Sequence, residues 1–284
     1  MIEQGPTAVL GAGVMGTGIA TLLTGHGLSV LLIDSDPRAL REAVPHVRNQ
    51  LRLARMMKAL PPGRPTGHLT TRASLEYADG VSAVVESVTE HPQLKLEVLG
   101  EVSAIVEPGT LLASNTSAIP IDELAEATSR PQDLVGLHFM NPPFLIDVVE
   151  VIRGPRSGEA AMAAVNALLA ATGRRGVIVG DGPGFVINRI LQRMINEAVR
   201  IVEEDIATPE DVDALFTGCL GHAIGPLATA DLIGLDNVAD SLAVLHARTG
   251  EAGYRPAPLL LAKVRAGELG RKSGRGFFEH TGTS

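Results

Sequence analysis

Tryptophan is absent from this chain, and aromatic residues make up only 3% of it. Stacking platforms for nucleobases are therefore not expected. Cys219 is the sole cysteine, which rules out an intrachain disulfide and a cysteine-based zinc site and fits a reducing compartment. The 24 basic residues are outnumbered by 32 acidic ones. No basic stripe is left over to neutralise the phosphates of a nucleic acid or an anionic membrane, so neither partner is expected. Lysine is scarce within that basic set, a bias read as genomic base composition. No apolar run approaches the ~20 residues of a membrane span. The opening residues MIEQGPT lead straight into an apolar run, without the pattern of a signal peptide. The expected location is cytoplasmic.

What is present is a globular composition. Hydrophobic residues account for 45% and charged residues for 20%, in keeping with a packed interior. A length of 284 residues exceeds one typical domain and suggests two. Thr7 to Leu10 is a short apolar run that ends in Gly11-Ala12-Gly13-Val14-Met15-Gly16. Met15, Ile19, Leu22 and Leu23 then recur at helical spacing until Gly25 and Gly27. Leu28 to Ile33 reads as a second strand closed by Asp34. Each part of this strand, glycine turn, helix, strand and acid has a physical task. Gly11 permits the tight turn, Gly13 lets the backbone approach a pyrophosphate, and Gly16 lets helix and strand pack closely while the helix N-terminus faces the phosphates. Asp34 can accept hydrogen bonds from both hydroxyls of an adenosine ribose and would repel a 2′-phosphate. The unit predicts a dinucleotide site for NAD in preference to NADP.

From Pro37 to Lys58 the pattern is helical and carries Arg38, Arg41, Arg48, Arg52 and Arg55. This is either a solvated helix face or a set of cations that meets an anionic part of a substrate. Leu69 to Leu75, Val81 to Val88, Leu111 to Ser114, Asp133 to Phe139, Asp147 to Ile152 and Val177 to Val179 read as strands. Helices between them include one from Lys95 through Val106 and another from Ser157 to Thr172. The alternation implies an α/β fold with a Rossmann-type, parallel, doubly wound sheet, whose ligands lie beyond the carboxyl ends of the strands. Glu90, Ser117 and His138 fall at such ends. Gly180-Asp181-Gly182-Pro183-Gly184 concentrates residues that punctuate structure. It is expected to part an NAD-binding domain over 1–182 from an all-helical C-terminal domain over 183–284. In the latter, Phe185 to Glu204, Pro209 to Phe216 with Thr208 as cap, Leu227 to Ala247 and Pro258 to Ala266 read as helices. This helical domain is expected to shape the substrate cleft and to form a homodimer.

The stretch LVGLHFMNPPFLIDVVEVIR, Leu134 to Arg153, places His138 at the end of one apolar run and Glu150 inside the next. Read as two strands with a tight connection, it brings imidazole and carboxylate face to face, the geometry of an oriented general base. Alone, such a histidine reads equally as a hydrogen-bonded structural residue, and such a glutamate as a solvent-facing one.

Six stretches together carry a resemblance: GAGVMGTGIA, SNTSAIPI, GLHFMNPPFLIDVVEVIRG, DGPGFVINRIL, the GP of HAIGPLATADLIGLD, and GRKSGRGFF. Over essentially its whole length the chain resembles the 3-hydroxyacyl-CoA dehydrogenase family, in the form of its single-function bacterial 3-hydroxybutyryl-CoA dehydrogenases. The resemblance implies NAD-dependent oxidation of a 3-hydroxyacyl thioester to the 3-oxoacyl thioester, without a metal, in fatty acid metabolism or polyketide biosynthesis. It implies that His138 is the catalytic base, that Glu150 orients and polarises it, and that Ser117 and Asn188 hydrogen-bond the substrate. On the cofactor side it implies Gly11, Gly13, Gly16 and Asp34, with Glu90, Lys95, Asn141 and Lys272 lining the dinucleotide. A serine and a lysine that contact CoA in the family fall, by counting from Asp34, on Gln50 and Met57, with Lys58 adjacent. That departure admits rival readings. One is a short hydroxyacyl group on an acyl carrier protein, such as a glyceryl thioester, met by Arg41, Arg48, Arg52 and Arg55. The others are a free hydroxy acid and a catalytically silent NAD-binding protein.

Overall fold

The computed structural model describes residues 5–280; the first four residues of the stretch read for a signal pattern lie outside them. Two compact units divide between Gly182 and Pro183. The first is built on β1 (Thr7–Leu10), β2 (Val30–Ile33), β3 (Leu69–Arg72), β4 (Ala83–Glu86), β5 (Leu111–Ser114), β6 (Leu134–His138), β7 (Val148–Arg153) and β8 (Arg175–Gly180). They form one sheet in the order β3-β2-β1-β4-β5-β6-β7-β8. Strands β1, β2, β4 and β5 are buried at every residue. Central parallel strands are covered on both faces, which is why they read as unbroken apolar runs. The edge strand β3, Leu-Thr-Thr-Arg, alternates between half-buried and exposed.

Helices α1 (Val14–Gly25), α2 (Pro37–Met56), α3 (Pro92–Ile105), α4 (Ile121–Ala125) and α5 (Glu159–Ala171) join the strands. Helix α2 starts where the Asp36 side chain accepts a hydrogen bond from Arg38 N at 2.8 Å and Pro37 takes the first helical position. It buries Leu40, Ala43, Val47, Leu51 and Ala54, an apolar stripe at intervals of three and four that faces the sheet side. The core around the sheet includes Val9, Ile19, Leu22, Leu32, Val85, Leu137, Val151 and Leu168.

Strands β3 through β6 pair in parallel. Strand β7 then runs antiparallel to β6, as the expected facing of His138 and Glu150 across a tight connection requires, while β8 is parallel to β7. The cause is the connection over 139–147, which carries no helix and falls short of the roughly dozen residues that a parallel crossover requires. After β3 the chain returns to the other side of β1 to form β4. At that reversal the connections leave in opposite directions and a crevice opens beyond the carboxyl ends of β1 and β4.

The second unit consists of α6 (Ile187–Glu203), α7 (Pro209–Leu220), α8 (Pro226–Ile233), α9 (Leu235–Thr249) and α10 (Pro258–Arg265). Ile195, Val199, Leu227, Leu235, Val238, Leu242, Tyr254 and Leu260 fill its core. Buried Asn196 ties in the segment before α10: its amide donates to Gly253 O and Arg255 O, each at 2.9 Å, and accepts from Ala257 N at 2.9 Å. The apolar run Leu227 to Ala247 suggests one helix, but the chain forms two. They part at Gly234, whose φ of +99° lies in the region that only glycine adopts without strain.

Candidate active site

The turn after β1 is closed backbone to backbone. Gly11 has φ +97°, and a Cβ there would lie 2.7 Å from Ser87 O. Its N–H donates to Ile33 O at 2.7 Å. A Cβ on Gly16 would fall 1.8 Å from Gly11 O, so any side chain at that position would push α1 off the turn. Gly13 is different: it is extended, with φ −73° and ψ −165°, and a Cβ there would meet nothing within 4 Å. Helix α1 starts directly after it without a side-chain cap. The first-turn N–H groups, which have no intrahelical partner, therefore face out over Gly13, the arrangement that favours a bound phosphate. Asp34 stands beside this loop. Its Oδ2 accepts from Ala12 N at 2.7 Å and its Oδ1 from Asp36 N at 2.8 Å. A carboxylate offers about four acceptor sites, so both oxygens keep capacity for ribose hydroxyls.

His138 closes β6, and Glu150 lies directly opposite it in the antiparallel register. Residues so paired project from the same face of the sheet. The His138 Nδ1 to Glu150 Oε2 distance is 2.9 Å, and each residue is 4% exposed. A carboxylate only accepts, so Nδ1 carries the proton and Nε2 is the basic nitrogen. A base oriented in this way can take a proton from a hydroxyl group and be stabilised as it becomes charged.

The connection between these two strands is fixed from both sides. Asn115, just past β5, accepts from Phe139 N through Oδ1 at 2.8 Å. Arg174, buried before β8, donates to Phe144 O at 2.9 Å and to Asp147 Oδ1 at 3.2 Å. Burial lowers the pKa of that guanidinium, with Asp147 acting in the opposite direction. Asn141 sits exposed within the connection.

Beyond β4 and β5 a second polar group forms. Glu90 Oε1 accepts from Thr116 Oγ1 at 2.5 Å, Ser117 N at 2.8 Å and Ala118 N at 3.1 Å. Glu90 Oε2 lies 3.3 Å from Lys95 Nζ. Lys95 is only 1% exposed, so its ammonium is covered by protein and Glu90 presents the open edge. Asn188 and Lys272 belong to the helical unit. Asn188 is half-buried in the first turn of α6. Lys272 Nζ donates to Asp236 Oδ2 at 2.5 Å. Burial pushes the Asp236 carboxyl upward, but Lys272 and neighbouring backbone N–H groups outweigh it and hold the group below its ordinary value.

The sequence model of the 3-hydroxyacyl-CoA dehydrogenase NAD binding domain matches residues 6–182, and that of the family's C-terminal domain matches residues 184–280. The chain belongs to the 3-hydroxyacyl-CoA dehydrogenase family. A Bacillus subtilis protein named a probable 3-hydroxybutyryl-CoA dehydrogenase is 42% identical over 280 residues, covering 96% of each chain. A 3-hydroxybutyryl-CoA dehydrogenase of Bradyrhizobium diazoefficiens is 36% identical, over 96% of this chain and 94% of its own. The crystal structure of (S)-3-hydroxybutyryl-CoA dehydrogenase from Ralstonia eutropha superposes with a TM-score of 0.89 at 36% identity, covering 99% of this chain and all of that one. As a member of this family the chain is an NAD-dependent oxidoreductase acting on a CH–OH group.

Within this dehydrogenase, the first unit gathers Gly11, Gly13, Gly16 and Asp34 at one loop, His138 with Glu150 at one strand pair, and Glu90 with Ser117 and Lys95 at another strand end. Among the described residues, no group of three or more His, Cys, Asp or Glu side chains could hold a metal ion. No helix among them is long and apolar enough to cross a membrane. Three side chains that organise these groups escape a reading of the sequence. Glu86 had a signal, a charge closing the otherwise apolar strand AVVE, since a carboxylate in a buried run calls for a partner. Asn115 stood in a polar strand end whose Asn could have been singled out. Arg174 had no local signal, because its partners are carbonyls about thirty residues upstream.

Proposed function

We propose that this dehydrogenase oxidises the hydroxyl of a short 3-hydroxyacyl-CoA to the 3-oxoacyl-CoA, with His138 as base and Glu150 as its partner. The observation that carries the reading is the buried 2.9 Å contact of His138 Nδ1 with Glu150 at the carboxyl end of β6. The substrate hydroxyl gives its proton to Nε2 while its C3 hydrogen leaves as hydride. Bound NAD supplies the hydride acceptor. The growing positive charge on the imidazole is met by the Glu150 carboxylate in a setting from which water is largely excluded, where a charge-assisted hydrogen bond is strong. Ser117 hydrogen-bonds a substrate oxygen, and Asn188 serves as a further hydrogen-bonding group to the substrate. Holding C3 in line in this way supplies part of the rate enhancement. Gly11, Gly13 and Gly16 seat the pyrophosphate, Asp34 takes the ribose hydroxyls, and Glu90, Asn141 and Lys272 line the dinucleotide. The closed turn at Gly11 and the open face at Gly13 support that assignment.

The thiol carrier is the finer question. The relatives' names support CoA. One observation favours an acyl carrier protein: Arg38, Arg41, Arg48, Arg52 and Arg55 are all exposed and, spaced by threes, fours and sevens, share one stripe of α2. Gln50, at a family CoA position, is turned to Thr21, whose hydroxyl donates to Gln50 Oε1 at 2.7 Å, and Met57 offers no polar group. The preserved His138–Glu150 pair argues against a silent NAD-binding protein. A homodimer through the helical unit is supported by its exposed apolar side chains, among them Ile190 and Leu220, each 64% exposed. The deciding experiment follows NADH absorbance with acetoacetyl-CoA beside the same acyl group on an acyl carrier protein. Rapid oxidation of NADH with the CoA ester is expected. Turnover on the carrier protein alone would transfer the assignment to that partner, and no turnover on either would overturn it.

A further inference from the structure

Glu86 ends β4 with its carboxylate fully buried, at 0% exposure. A charge so placed is costly unless it is paired and hydrogen-bonded, and here each oxygen is engaged. Oε1 accepts from Lys95 Nζ at 2.6 Å and from Val88 N at 2.8 Å. Oε2 accepts from Ser114 Oγ at 2.5 Å, at the end of β5. Lys95 in turn donates to Val88 O at 3.2 Å and reaches Glu90 Oε2 at 3.3 Å. Glu90 holds the backbone of Ser117 and Ala118 through its other oxygen. One buried ammonium thus sits between two carboxylates, and the three groups tie together the end of β4, the first turn of α3 and the turn that follows β5.

We infer that Glu86 is a positioning residue for the cofactor and substrate edge of the site: it anchors Lys95, and Lys95 sets the place of Glu90 and with it the Ser117 turn. The inference rests on the proposed role of Glu90 and Ser117. With the Glu86 charge present, Lys95 is held by the nearer carboxylate, at 2.6 Å, and Glu90 is free to serve the turn at 116–118. With that charge removed, Glu90 is the remaining carboxylate within ion-pair distance of the buried ammonium among the described residues, and Lys95 draws it inward, away from the edge it presents. Lys95 then acts on the dinucleotide through Glu90 rather than by contact, in keeping with its 1% exposure.

The test is a double-mutant cycle read as NADH affinity by fluorescence titration, with kcat and KM measured alongside. Glu86→Gln keeps the size and one acceptor. It should weaken NADH binding about tenfold while kcat stays within about threefold; once Lys95→Met is present, the same change should add less than about twofold, the non-additivity expected of groups acting as one unit. A merely structural role would lower the melting temperature equally in both backgrounds and leave NADH affinity unmoved. If Glu86→Gln does not fold, Ser114→Ala, which releases only Oε2, should show the same Lys95-dependent loss at smaller size. Parent-like NADH affinity in Glu86→Gln, or a loss that persists in the Lys95→Met background, would overturn the inference. If Glu90→Gln also leaves NADH and substrate binding unchanged, the reading of that edge as part of the site fails instead.

Discussion

Gly13 and Gly16 lie three residues apart in one motif, yet their surroundings predict opposite outcomes for the same added methyl group. At Gly13 an alanine Cβ meets nothing within 4 Å, and φ −73° with ψ −165° suits any residue. Alanine is a poorer residue than glycine before a helix by roughly 0.5 kcal/mol, and the stiffer unfolded chain returns about 0.4–1 kcal/mol. The net change in stability should stay within about 0.5 kcal/mol. The methyl group nevertheless stands where a pyrophosphate would approach, so NADH binding should weaken by at least tenfold, about 1.4 kcal/mol. At Gly16 the Cβ would fall 1.8 Å from Gly11 O, and neither atom belongs to a side chain that can swing aside. Backbone shifts forced by overpacking cost about 1–3 kcal/mol, so Gly16→Ala should lose both stability and NADH binding. Urea unfolding and NADH fluorescence titration on the two variants separate these outcomes. A Gly13→Ala protein that binds NADH as tightly as the parent, or that loses more than about 1 kcal/mol of stability, would refute the assignment of this loop.

Asp34→Ser removes the carboxylate that would repel a 2′-phosphate; the ratio of kcat/KM for NAD over NADP should fall at least tenfold, and an unchanged ratio would sink the ribose assignment. His26 is buried with Nδ1 at 2.8 Å from Leu22 O, and its pKa is lowered from 6.5 first by burial and then by the charges of Arg174 and Arg64, against the hydrogen bond to Leu22. The unfolded chain therefore binds the extra proton more readily, so stability is full above about pH 6.5 and falls as the pH drops from there toward the folded value. His26→Gln should flatten that part of the stability curve, which denaturant midpoints across the range would reveal. Arg174→Met leaves the carbonyl of Phe144 without its buried donor; unfolding should become easier by roughly 1–3 kcal/mol, and a loosened 139–147 connection should lower kcat more than it raises KM for NAD.

The sheet and the dinucleotide loop were legible because their signals are local. Four apolar residues, three glycines and an acid at the next strand end determine one supersecondary unit, and the clash at Gly16 shows the steric need behind the pattern. The facing of His138 and Glu150 was also legible, since a short connection between two apolar runs leaves little but an antiparallel pairing. The same short connection turns β7 against the parallel pairing of the strands before it. The break at Gly234 was hidden inside an apolar run, where one glycine is a weak signal against continuous periodicity. The positions of Glu86, Asn115 and Arg174 became visible only in three dimensions. Asn115 and Arg174 meet groups on other elements far along the chain, and Glu86 joins its near neighbours Val88 and Lys95 to the distant Ser114; no spacing rule within one element anticipates such sets. Lys95 shows the reverse: the family pattern implied a place for it along the dinucleotide, while its burial between Glu86 and Glu90 had no sequence signal.

The most direct measurement is the turnover of His138→Asn on acetoacetyl-CoA, taken with its NADH affinity. Asparagine keeps a polar side chain of similar reach but cannot accept the proton, so kcat should fall a hundredfold to ten-thousandfold, about the contribution of a positioned base, while NADH binds within twofold of the parent. Turnover within tenfold of the parent, with binding intact, would place the base elsewhere and contradict the role assigned to the His138–Glu150 pair.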